Sequence, residues 1–418
     1  MTDLVVDVDH VLADLRELAE LTGGPDGARR LAWSEDWLGA REFLLRKLAE
    51  LPVTVDRDEA GNLWAELRGA DPDAGFVIVG SHVDAVPEGG WLDGALGVFA
   101  AVGVLRALAD APPPVTVRLV DWADEEGARF GRSLLGSSAV AGTLDPDAVR
   151  DLVDAGGMRL QDALAACDVD LDNAGAARRR LHGARAYLEL HIEQGPVLLD
   201  TGRLASAVSG TFGDERYLIT FTGQAAHAGS TPMHLRRDTL AAAATAALEI
   251  RDVGIRHGGV TTVGSMRSEP GVITAVAGVT EMMLDLRHLD ADTLALMLAE
   301  CLAACQKAAD QFECGVAPVR IFGATPTPFH PELVQLAAAS VAEAGGGDGP
   351  PIPSGPLHDA TEVGRLVPTV MLFAQSDPPL SHTKIEDSPE AALRVAIEAY
   401  GRTVGKTLDL VAAGGLEA

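Results

Sequence analysis

The segment GSHVDAVPEGGWLDG, residues 80–94, constrains the fold of this chain more than any other. It follows a short apolar run, residues 76–79 (FVIV), of the kind that forms a buried strand. His82, Asp84 and Asp93 therefore lie at or just beyond the carboxyl end of a strand, where open α/β sheets usually form their binding sites. The segment predicts an α/β sheet with a polar site at its carboxyl edge.

A second β-type run, residues 115–120, ends in an acidic cluster. The cluster comprises Asp121, Asp124, Glu125 and Glu126. One His, one Asp and one Glu from neighbouring strand ends can hold a borderline-soft divalent metal such as zinc. A further carboxylate can then serve as a base. Together the two segments indicate a metallohydrolase.

Composition narrows the class of protein. The chain has 418 residues, enough for more than one domain. Its formal net charge of −28 argues against nucleic acid or an anionic membrane as partner. We find no apolar run long enough for a membrane span and no signal-peptide pattern. The four cysteines lack CxxC spacing and are interpreted as reduced core thiols: Cys167, Cys301, Cys305 and Cys314. We therefore expect a cytoplasmic protein.

The pattern of predicted elements changes along the chain. Over residues 1–204 and 323–418, helix and strand patterns alternate, as is typical of a largely parallel sheet covered on both faces. Over residues 205–322 the predicted order is β-α-β-β-α-β, a ferredoxin-like split unit. The expected fold class is an α/β catalytic domain interrupted by an inserted α+β lid domain.

Five sequence motifs occur in order along the chain: GSHVDAVPEGGWLDG, DEEGARFGRSLLGSSAVAG, LELHIEQGPVL, GQAAHAGSTPM and SGPLHD…LSH. Through them the chain resembles the amidase/carbamoylase branch of the di-metal aminopeptidase-acylase superfamily. That branch includes N-carbamoyl-L-amino-acid hydrolases, β-ureidopropionases and allantoate amidohydrolases. The resemblance implies a di-metal aminopeptidase-like catalytic domain with an inserted lid and dimerisation domain. The apolar strands and helices of the inserted domain would leave one surface open, so we expect a homodimer through this domain.

The resemblance implies two divalent metal ions per subunit, bridged by Asp93. His82 and His191 would complete one site, and Glu126 and His382 the other. Zinc is the expected metal, with manganese, cobalt and nickel as alternatives. Each ion would have two ligands of its own and would share the carboxylate of Asp93. Three ligands leave room for water at each ion, as a catalytic site requires. The alternative is that His82 and Asp93 only cap a strand and a helix.

Two acidic residues beside the ligands complete the predicted centre. Asp84 shares a strand face with His82 and is expected to accept its ring N–H, fixing the tautomer. By the resemblance, Glu125 is the general base; the alternative is an ion pair with Arg129. Related enzymes bend the chain with a cis peptide after the bridging residue, so we expect one at Asp93–Gly94.

The resemblance also assigns residues to the substrate. Gln194 would contact the ureido or amide group, unless it only forms a loop hydrogen bond. His227, on the inserted domain, would stabilise the oxyanion, commonly in the partner subunit's site; the alternative is a satisfied loop histidine. Arg287 would bind the substrate carboxylate, with Arg216 as a second basic candidate. Thr274 stands where the family usually has Asn, which leaves the substrate's identity open.

These assignments predict an amidohydrolase that cleaves the C–N bond of an N-carbamoyl group on a small carboxylic acid. An N-carbamoyl-L-amino acid is the first choice, because DEEGARFGRSLLGS resembles carbamoylases more than allantoate enzymes. Allantoate or another ureido acid is second, and an N-acyl amino acid or dipeptide third. A non-catalytic relative that keeps the fold is the alternative from another class, and retention of all the ligands and Glu125 argues against it.

Overall fold

The computed structural model describes residues 4–416, which form two compact units. Unit 1 comprises the described parts of Met1–Gly210 and Phe329–Ala418, and unit 2 comprises Thr211–Pro328. The predicted junctions, at residues 204/205 and 322/323, lie a few residues earlier in the chain. The difference arises because the strand Ala205–Thr211, which was predicted in the inserted domain, pairs within the sheet of unit 1.

The helices are listed in chain order: α1 (Val8–Thr22), α2 (Glu35–Leu48), α3 (Ala95–Leu108), α4 (Leu135–Ala141), α5 (Pro146–Val149), α6 (Leu160–Ala166), α7 (Val197–Asp200), α8 (Thr239–His257), α9 (Ala291–Gln311), α10 (Pro331–Glu343), α11 (Asp359–Val363) and α12 (Glu390–Ala412). Two 3₁₀ helices add to them: Leu171–Leu181 and Met233–Leu235.

The strands are β1 (Gly23–Gly24), β2 (Gly27–Ala28), β3 (Thr54–Arg57), β4 (Leu63–Leu67), β5 (Asp71–His82), β6 (Val115–Trp122), β7 (Ala184–Ile192), β8 (Ala205–Thr211), β9 (Gly213–Thr222), β10 (Ala226–His227), β11 (Val260–Glu269), β12 (Ala275–Val276), β13 (Val279–His288), β14 (Gly315–Ala324), β15 (Thr327–Pro328), β16 (Ile352–Ser354) and β17 (Thr369–Ala374).

Unit 1 is built on a mixed sheet with a parallel centre. Its strands lie in the order β8-β17-β7-β5-β6-β4-β3, and β16 pairs with β8. The pairs β17–β7, β7–β5 and β5–β6 are parallel, whereas β8, β4 and β3 join antiparallel to their neighbours. The predicted parallel sheet is confirmed at its centre, and its carboxyl ends meet at one edge.

Both faces of this sheet are covered. Along β5, Val77 and Val79 pack into the core that includes α1, α2, α3 and α12. Phe76 and Ile78, which point the other way, pack into a second core with Val363 of α11. This alternation is the period of two expected of a strand buried on both sides. It fixes the direction in which β5 delivers the residue at its carboxyl end.

Unit 2 is an antiparallel sheet in the order β11-β13-β9-β14, with α8 and α9 packed on one face. Its chain order, β9-α8-β11-β13-α9-β14, confirms the predicted ferredoxin-like unit. Ile219 and Phe221 of β9 pack on Met297 and other helix residues. On the opposite face, Met283 and Val319 are exposed.

Every helix within residues 4–416 is too short or too polar to cross a bilayer. All four cysteines are unpaired. Cys301 and Cys305 are buried in the core of unit 2, as the i,i+4 pattern predicted.

Candidate metal centre

The carboxyl edge of the sheet in unit 1 brings the predicted ligands together. His82 is the last residue of β5, and His191 lies at the end of β7. Asp93 precedes α3, Glu126 follows β6, and His382 lies in the loop between β17 and α12. Because the four strands are parallel neighbours, ligands far apart in sequence converge at one place.

His82, Asp93 and His191 form one group that could hold a metal ion. The Nε2 atom of His191 lies 3.1 Å from Asp93 Oδ1, and that of His82 lies 3.8 Å from the same oxygen. Each ring turns its Nδ1 to a backbone carbonyl, at 3.1 Å from Asp84 O and at 2.9 Å from Ile192 O. A donating Nδ1–H leaves the Nε2 lone pair for a metal.

Asp93, Glu126 and His382 form a second group that could hold an ion. The Nε2 atom of His382 lies 3.6 Å from Asp93 Oδ2 and 3.4 Å from Glu126 Oε2. The two oxygens of Asp93 therefore face different groups of ligands. This is the arrangement that a bridging carboxylate needs in a two-metal site.

The charges and donor atoms of the centre fit two divalent cations. The carboxylates of Asp93 and Glu126 are shielded from solvent, and Glu126 Oε1 lacks a hydrogen-bond partner among residues 4–416. Burial raises the pKa of Glu126 well above its ordinary value, and Asp93 and Asp84 raise it further. Carboxylates crowded out of water are costly unless positive charge balances them. Cations between these groups would supply that charge.

The two buried imidazoles differ in their pKa values. Burial lowers the pKa of His82 to about 3. His191 is equally buried, but the neighbouring carboxylate of Asp93 raises its pKa to about 9. A metal ion binds the neutral imidazole, so loading the centre at neutral pH would displace a proton from His191.

Glu125, the predicted base, lies beside the candidate ligands. Its Oε2 lies 3.8 Å from His82 Nε2, and the side chain is buried. Burial raises the pKa of Glu125 well above its ordinary value, and the nearby Asp359 raises it further. The alternative ion pair with Arg129 is not found, because the Arg129 guanidinium donates to Asp154 at 3.0 Å.

Asp84 does not orient His82 in the predicted way. Its backbone carbonyl, not its carboxylate, is the closer acceptor for the ring, and its Oδ1 lies 3.6 Å from His82 Nδ1. The carboxylate instead accepts the backbone N–H groups of Glu125 at 3.2 Å and Glu126 at 3.1 Å. Buried N–H groups of a turn require such acceptors. Asp84 therefore holds the loop that carries Glu125 and Glu126.

The bend after Asp93 also differs from the prediction. Within residues 4–416, cis peptide bonds occur at Glu269–Pro270 and Asp377–Pro378, and the bond at Asp93–Gly94 is not among them. Gly94 has φ 63° and ψ −46°, and a Cβ atom there would overlap the His82 ring. The conformational freedom of glycine makes the turn instead, and α3 begins at the next residue.

Gln194 contacts the metal ligands directly. Its Nε2 donates to Asp93 Oδ2 and to Ser381 Oγ, both at 3.0 Å. Its Oε1 is buried and has no hydrogen-bond partner in the described part of the chain. One end of the amide therefore fixes the bridging carboxylate, and the other presents an acceptor.

Unit 2 places His227 and Thr274 close together. The strands β10 and β12 pair, and the carbonyl of Thr274 accepts the N–H of Ala228 at 2.8 Å. The Nδ1 atom of His227 accepts the N–H groups of Gly229 and Ser230, both at 3.1 Å. The neutral His227 ring therefore carries its proton on Nε2, which makes that atom a donor.

Arg287 and Arg216 lie on neighbouring strands of unit 2 and share acidic partners. Arg287 donates from Nε to Asp285 Oδ1 at 3.0 Å, and Arg216 donates from Nε to Asp285 Oδ2 at 2.9 Å. Arg216 also pairs with Asp214 at 2.6 Å. A substrate carboxylate at Arg287 would compete with Asp285.

Sequence reasoning missed two polar groups beside the candidate ligands, Arg30 and Glu386. Arg30 is fully buried, and its Nε donates to the carbonyl of Val83 at 2.7 Å. Glu386 accepts from Ser381 Oγ at 2.6 Å and from the backbone N–H of His382 at 3.2 Å. The position of Glu386, close after a predicted ligand in LSHTKIED, was an available signal; nothing local marked Arg30.

Known proteins match this chain over most of its length. The model of peptidase family M20/M25/M40 matches residues 78–406. The N-carbamoyl-L-amino acid amidohydrolase of Geobacillus stearothermophilus is 35% identical over 396 residues, which cover 93% of this chain and 96% of that protein. The allantoate amidohydrolase of Escherichia coli K12 is 33% identical over 384 residues, covering 90% and 92%.

Solved structures agree with the fold. A hydantoinase/carbamoylase family amidase from Burkholderia multivorans matches with a TM-score of 0.87 and 30% identity, covering 96% of this chain and 98% of that one. A second, from Burkholderia ambifaria, matches with a TM-score of 0.86 and 33% identity, covering 99% of each chain. Enzymes of the M20 family use divalent metal ions. The chain is therefore a hydrolase of peptidase family M20/M25/M40 and belongs to its hydantoinase/carbamoylase amidase branch.

Proposed function

We propose that this protein is a metal-dependent amidohydrolase that cleaves the C–N bond of an N-carbamoyl group, with N-carbamoyl-L-amino acids as substrates. One observation carries the proposal: two groups of metal-ligand side chains share Asp93, and the buried Glu125 lies beside them. The relative from Geobacillus stearothermophilus, an N-carbamoyl-L-amino acid amidohydrolase, supports this choice of substrate.

The proposed cofactor is a pair of divalent ions. His82, Asp93 and His191 would hold one, and Asp93, Glu126 and His382 the other. When bound, such a pair lowers the pKa of a water molecule and polarises the substrate carbonyl. We propose zinc because the donors are imidazole nitrogens and carboxylate oxygens, a set that manganese, cobalt and nickel also accept.

Glu125 then transfers protons. It accepts a proton from the attacking water and delivers it to the leaving nitrogen. Asp84 holds the backbone of Glu125 through the hydrogen bond at 3.2 Å, which limits the movement of the base. Gln194 Oε1, which lacks a partner among residues 4–416, accepts an N–H of the ureido group.

Unit 2 supplies substrate recognition in this proposal. His227 donates its Nε2–H to the oxyanion of the tetrahedral intermediate. Arg287 binds the substrate carboxylate, and Arg216 is the second candidate for that role. We further propose a homodimer formed through unit 2, in which His227 serves the partner subunit's site. The four unpaired cysteines fit a cytoplasmic location.

Allantoate is the second candidate substrate. The Escherichia coli allantoate amidohydrolase is 33% identical, nearly as similar as the carbamoylase at 35%. Thr274 also stands where an Asn is expected, and its hydroxyl cannot form the same hydrogen bonds as an amide. This difference is compatible with a substrate other than a simple carbamoyl amino acid.

The test is an assay of ammonia release from a panel of ureido acids. The purified protein is stripped with a chelator, checked for metal, and reloaded with zinc, manganese, cobalt or nickel. The panel contains N-carbamoyl-L- and D-amino acids, allantoate and, with amine detection, N-acetyl amino acids. We expect hydrolysis only after reloading, with an N-carbamoyl-L-amino acid as the best substrate.

Other outcomes of this assay decide against the proposal. Faster turnover of allantoate would select the second candidate. Activity confined to N-acetyl amino acids would assign a different amide bond. Full activity of verified metal-free protein would overturn the mechanism, and metal-loaded protein that hydrolyses none of the panel would overturn the function.

A further inference from the structure

The histidines of the two candidate metal sites lie on different kinds of structure, strand ends in one site and a loop in the other. His82 and His191 end strands in the centre of the sheet, and both side chains are 1% exposed. His382 lies in a loop, residues 375–389, and its side chain is 53% exposed. Its φ of 56° is uncommon for a residue other than glycine. The sheet does not hold this ligand, so other contacts must.

Glu386 supplies those contacts. It is buried, and its Oε2 accepts the backbone N–H of His382 at 3.2 Å. The same oxygen accepts a hydrogen bond from the hydroxyl of Ser381 at 2.6 Å. One carboxylate therefore binds both His382 and the residue before it. Hydrogen bonds donated to an ionised carboxylate are about twice as strong as those between neutral groups.

A short chain of hydrogen bonds links Glu386 to the bridging ligand. Gln194 Nε2 donates to Ser381 Oγ and to Asp93 Oδ2, both at 3.0 Å. The hydroxyl of Ser381 has a single proton and can donate only one hydrogen bond. It donates to Glu386 Oε2, which is closer than Asp93 Oδ2 at 3.5 Å. The oxygen of Asp93 in this chain is the one that faces His382.

The surroundings fix Glu386 itself. Any side chain at position 90 would overlap its carboxylate, and Gly90 leaves that space open. Its backbone N–H donates to Thr383 O at 3.0 Å. The ends of the loop are joined by a bond of 3.0 Å from Asp377 N to Asp387 O. Glu386 is thus a rigid acceptor in a loop that lacks regular structure.

We propose that Glu386, acting through Ser381, is a positioning residue that holds His382 where the second metal ion binds. The inference rests on the proposed function, because it assumes that both groups of ligands bind metal. Glu386 sets the affinity of the site formed by Asp93, Glu126 and His382. The site formed by His82, Asp93 and His191 does not depend on it.

The test compares metal titrations of the stripped full-length protein. Wild type, Glu386→Ala and Glu386→Gln are titrated with zinc by calorimetry and by competition with a chromophoric chelator. We expect wild type to bind two equivalents. Glu386→Ala should keep the tighter one and bind the other about 10- to 100-fold more weakly, as expected for loss of a group that orients a ligand. Glu386→Gln keeps an acceptor oxygen and should lie between them.

Two controls separate positioning from a general loss of structure. Glu390→Ala removes a nearby carboxylate that pairs with Arg16 and Arg394, and it should bind both equivalents as wild type does. If Glu386→Ala does not fold, Ser381→Ala removes the hydrogen bond from Ser381 Oγ to Glu386 with a smaller change and should weaken the same equivalent to a lesser extent, because the bond from His382 N–H remains. Combining Glu386→Ala with His382→Ala should weaken the second equivalent no further than His382→Ala alone.

The outcomes distinguish this inference from the proposed function. Two equivalents bound by Glu386→Ala and Ser381→Ala with wild-type affinities would overturn the positioning role and leave the function intact. Equal weakening of both equivalents would also overturn it, because the effect would not be confined to one site. Wild type that binds fewer than two equivalents would overturn the two-metal centre and this inference together.

Discussion

Unit 1 and unit 2 differ in how far their candidate functional side chains are exposed to solvent. In unit 1, Glu125 and the ligands at strand ends are buried. In unit 2, His227 is exposed, and the side chains of Arg216 and Arg287 are 44% and 28% exposed. Buried groups interact strongly with each other and with a bound ion, whereas exposed groups are screened by water. In the proposed function, unit 1 accordingly supplies the metal ligands and the base, and unit 2 supplies an oxyanion donor and the contact with the substrate carboxylate.

Replacement of the proposed base tests the role of unit 1 and should have the largest effect. We expect Glu125→Gln to keep both metal ions and to lower kcat by about 10²- to 10⁴-fold, because an amide cannot accept the proton. Glu126→Gln is the matched control, since it alters a ligand and should lose metal. Stopped assays with metal analysis of the same samples would show this. Turnover by Glu125→Gln near the wild-type rate would remove Glu125 as the base.

His227 tests whether unit 2 contributes to the chemical step. We expect His227→Ala to lower kcat by about 10²- to 10³-fold, the range for loss of one oxyanion donor. His234→Ala, an exposed histidine in the same unit, should leave kcat unchanged. An unchanged kcat in His227→Ala would confine the chemistry to unit 1.

The same variant shows which subunit His227 serves. In random heterodimers of His227→Ala with Glu125→Gln, a histidine that acts on the partner subunit leaves one intact site in each mixed dimer. We therefore expect mixing and reassociation to restore up to about a quarter of wild-type activity. A histidine that acts within its own subunit would restore none.

Arg287 tests recognition by unit 2. We expect Arg287→Ala to lower kcat/KM for acid substrates by about 10- to 100-fold, which is about 1.4 to 2.7 kcal/mol. The loss is moderate because the guanidinium is partly exposed and already paired with Asp285. An uncharged amide analogue of the substrate should show no such loss. If Arg216→Ala has the larger effect, the carboxylate binds there instead.

Thr274 should give the smallest effect. It is exposed, so Thr274→Asn should leave stability within about 0.5 kcal/mol of wild type. We expect the added amide donor to raise kcat/KM for N-carbamoyl-L-amino acids by about two- to tenfold, the value of one modest hydrogen bond. A fall in activity on the best substrate would indicate that Thr274 marks a substrate that needs the space.

The sequence predicted the parts of this molecule that local patterns determine. The β-α-β-β-α-β order of unit 2 follows from apolar periodicity, and the strands and helices of the structure occur in that order. The residues proposed as ligands could be named because His82 and His191 sit in two of the motifs through which the chain resembles a known family. The structure brings them together with Asp93 because those strands are parallel neighbours.

The sequence was less informative wherever the choice depends on contacts between distant segments. The carboxylate of Asp84 was predicted to accept the ring N–H of His82. It instead accepts hydrogen bonds from the backbone N–H groups of Glu125 and Glu126 in another loop. The cis bond was wrong because Gly94 can make the bend by its own φ. Arg30 was missed because only the folded chain brings it to Val83.

The burial of the cysteines has a practical consequence for work on this enzyme. Burial raises the pKa of all four thiols, to about 12 for Cys301 and Cys305. Because the thiolate is the form that reacts, these groups should resist air oxidation at neutral pH. The protein should therefore tolerate storage without dithiothreitol, a reagent that itself chelates zinc, and its metal content can be measured in buffers free of competing thiols.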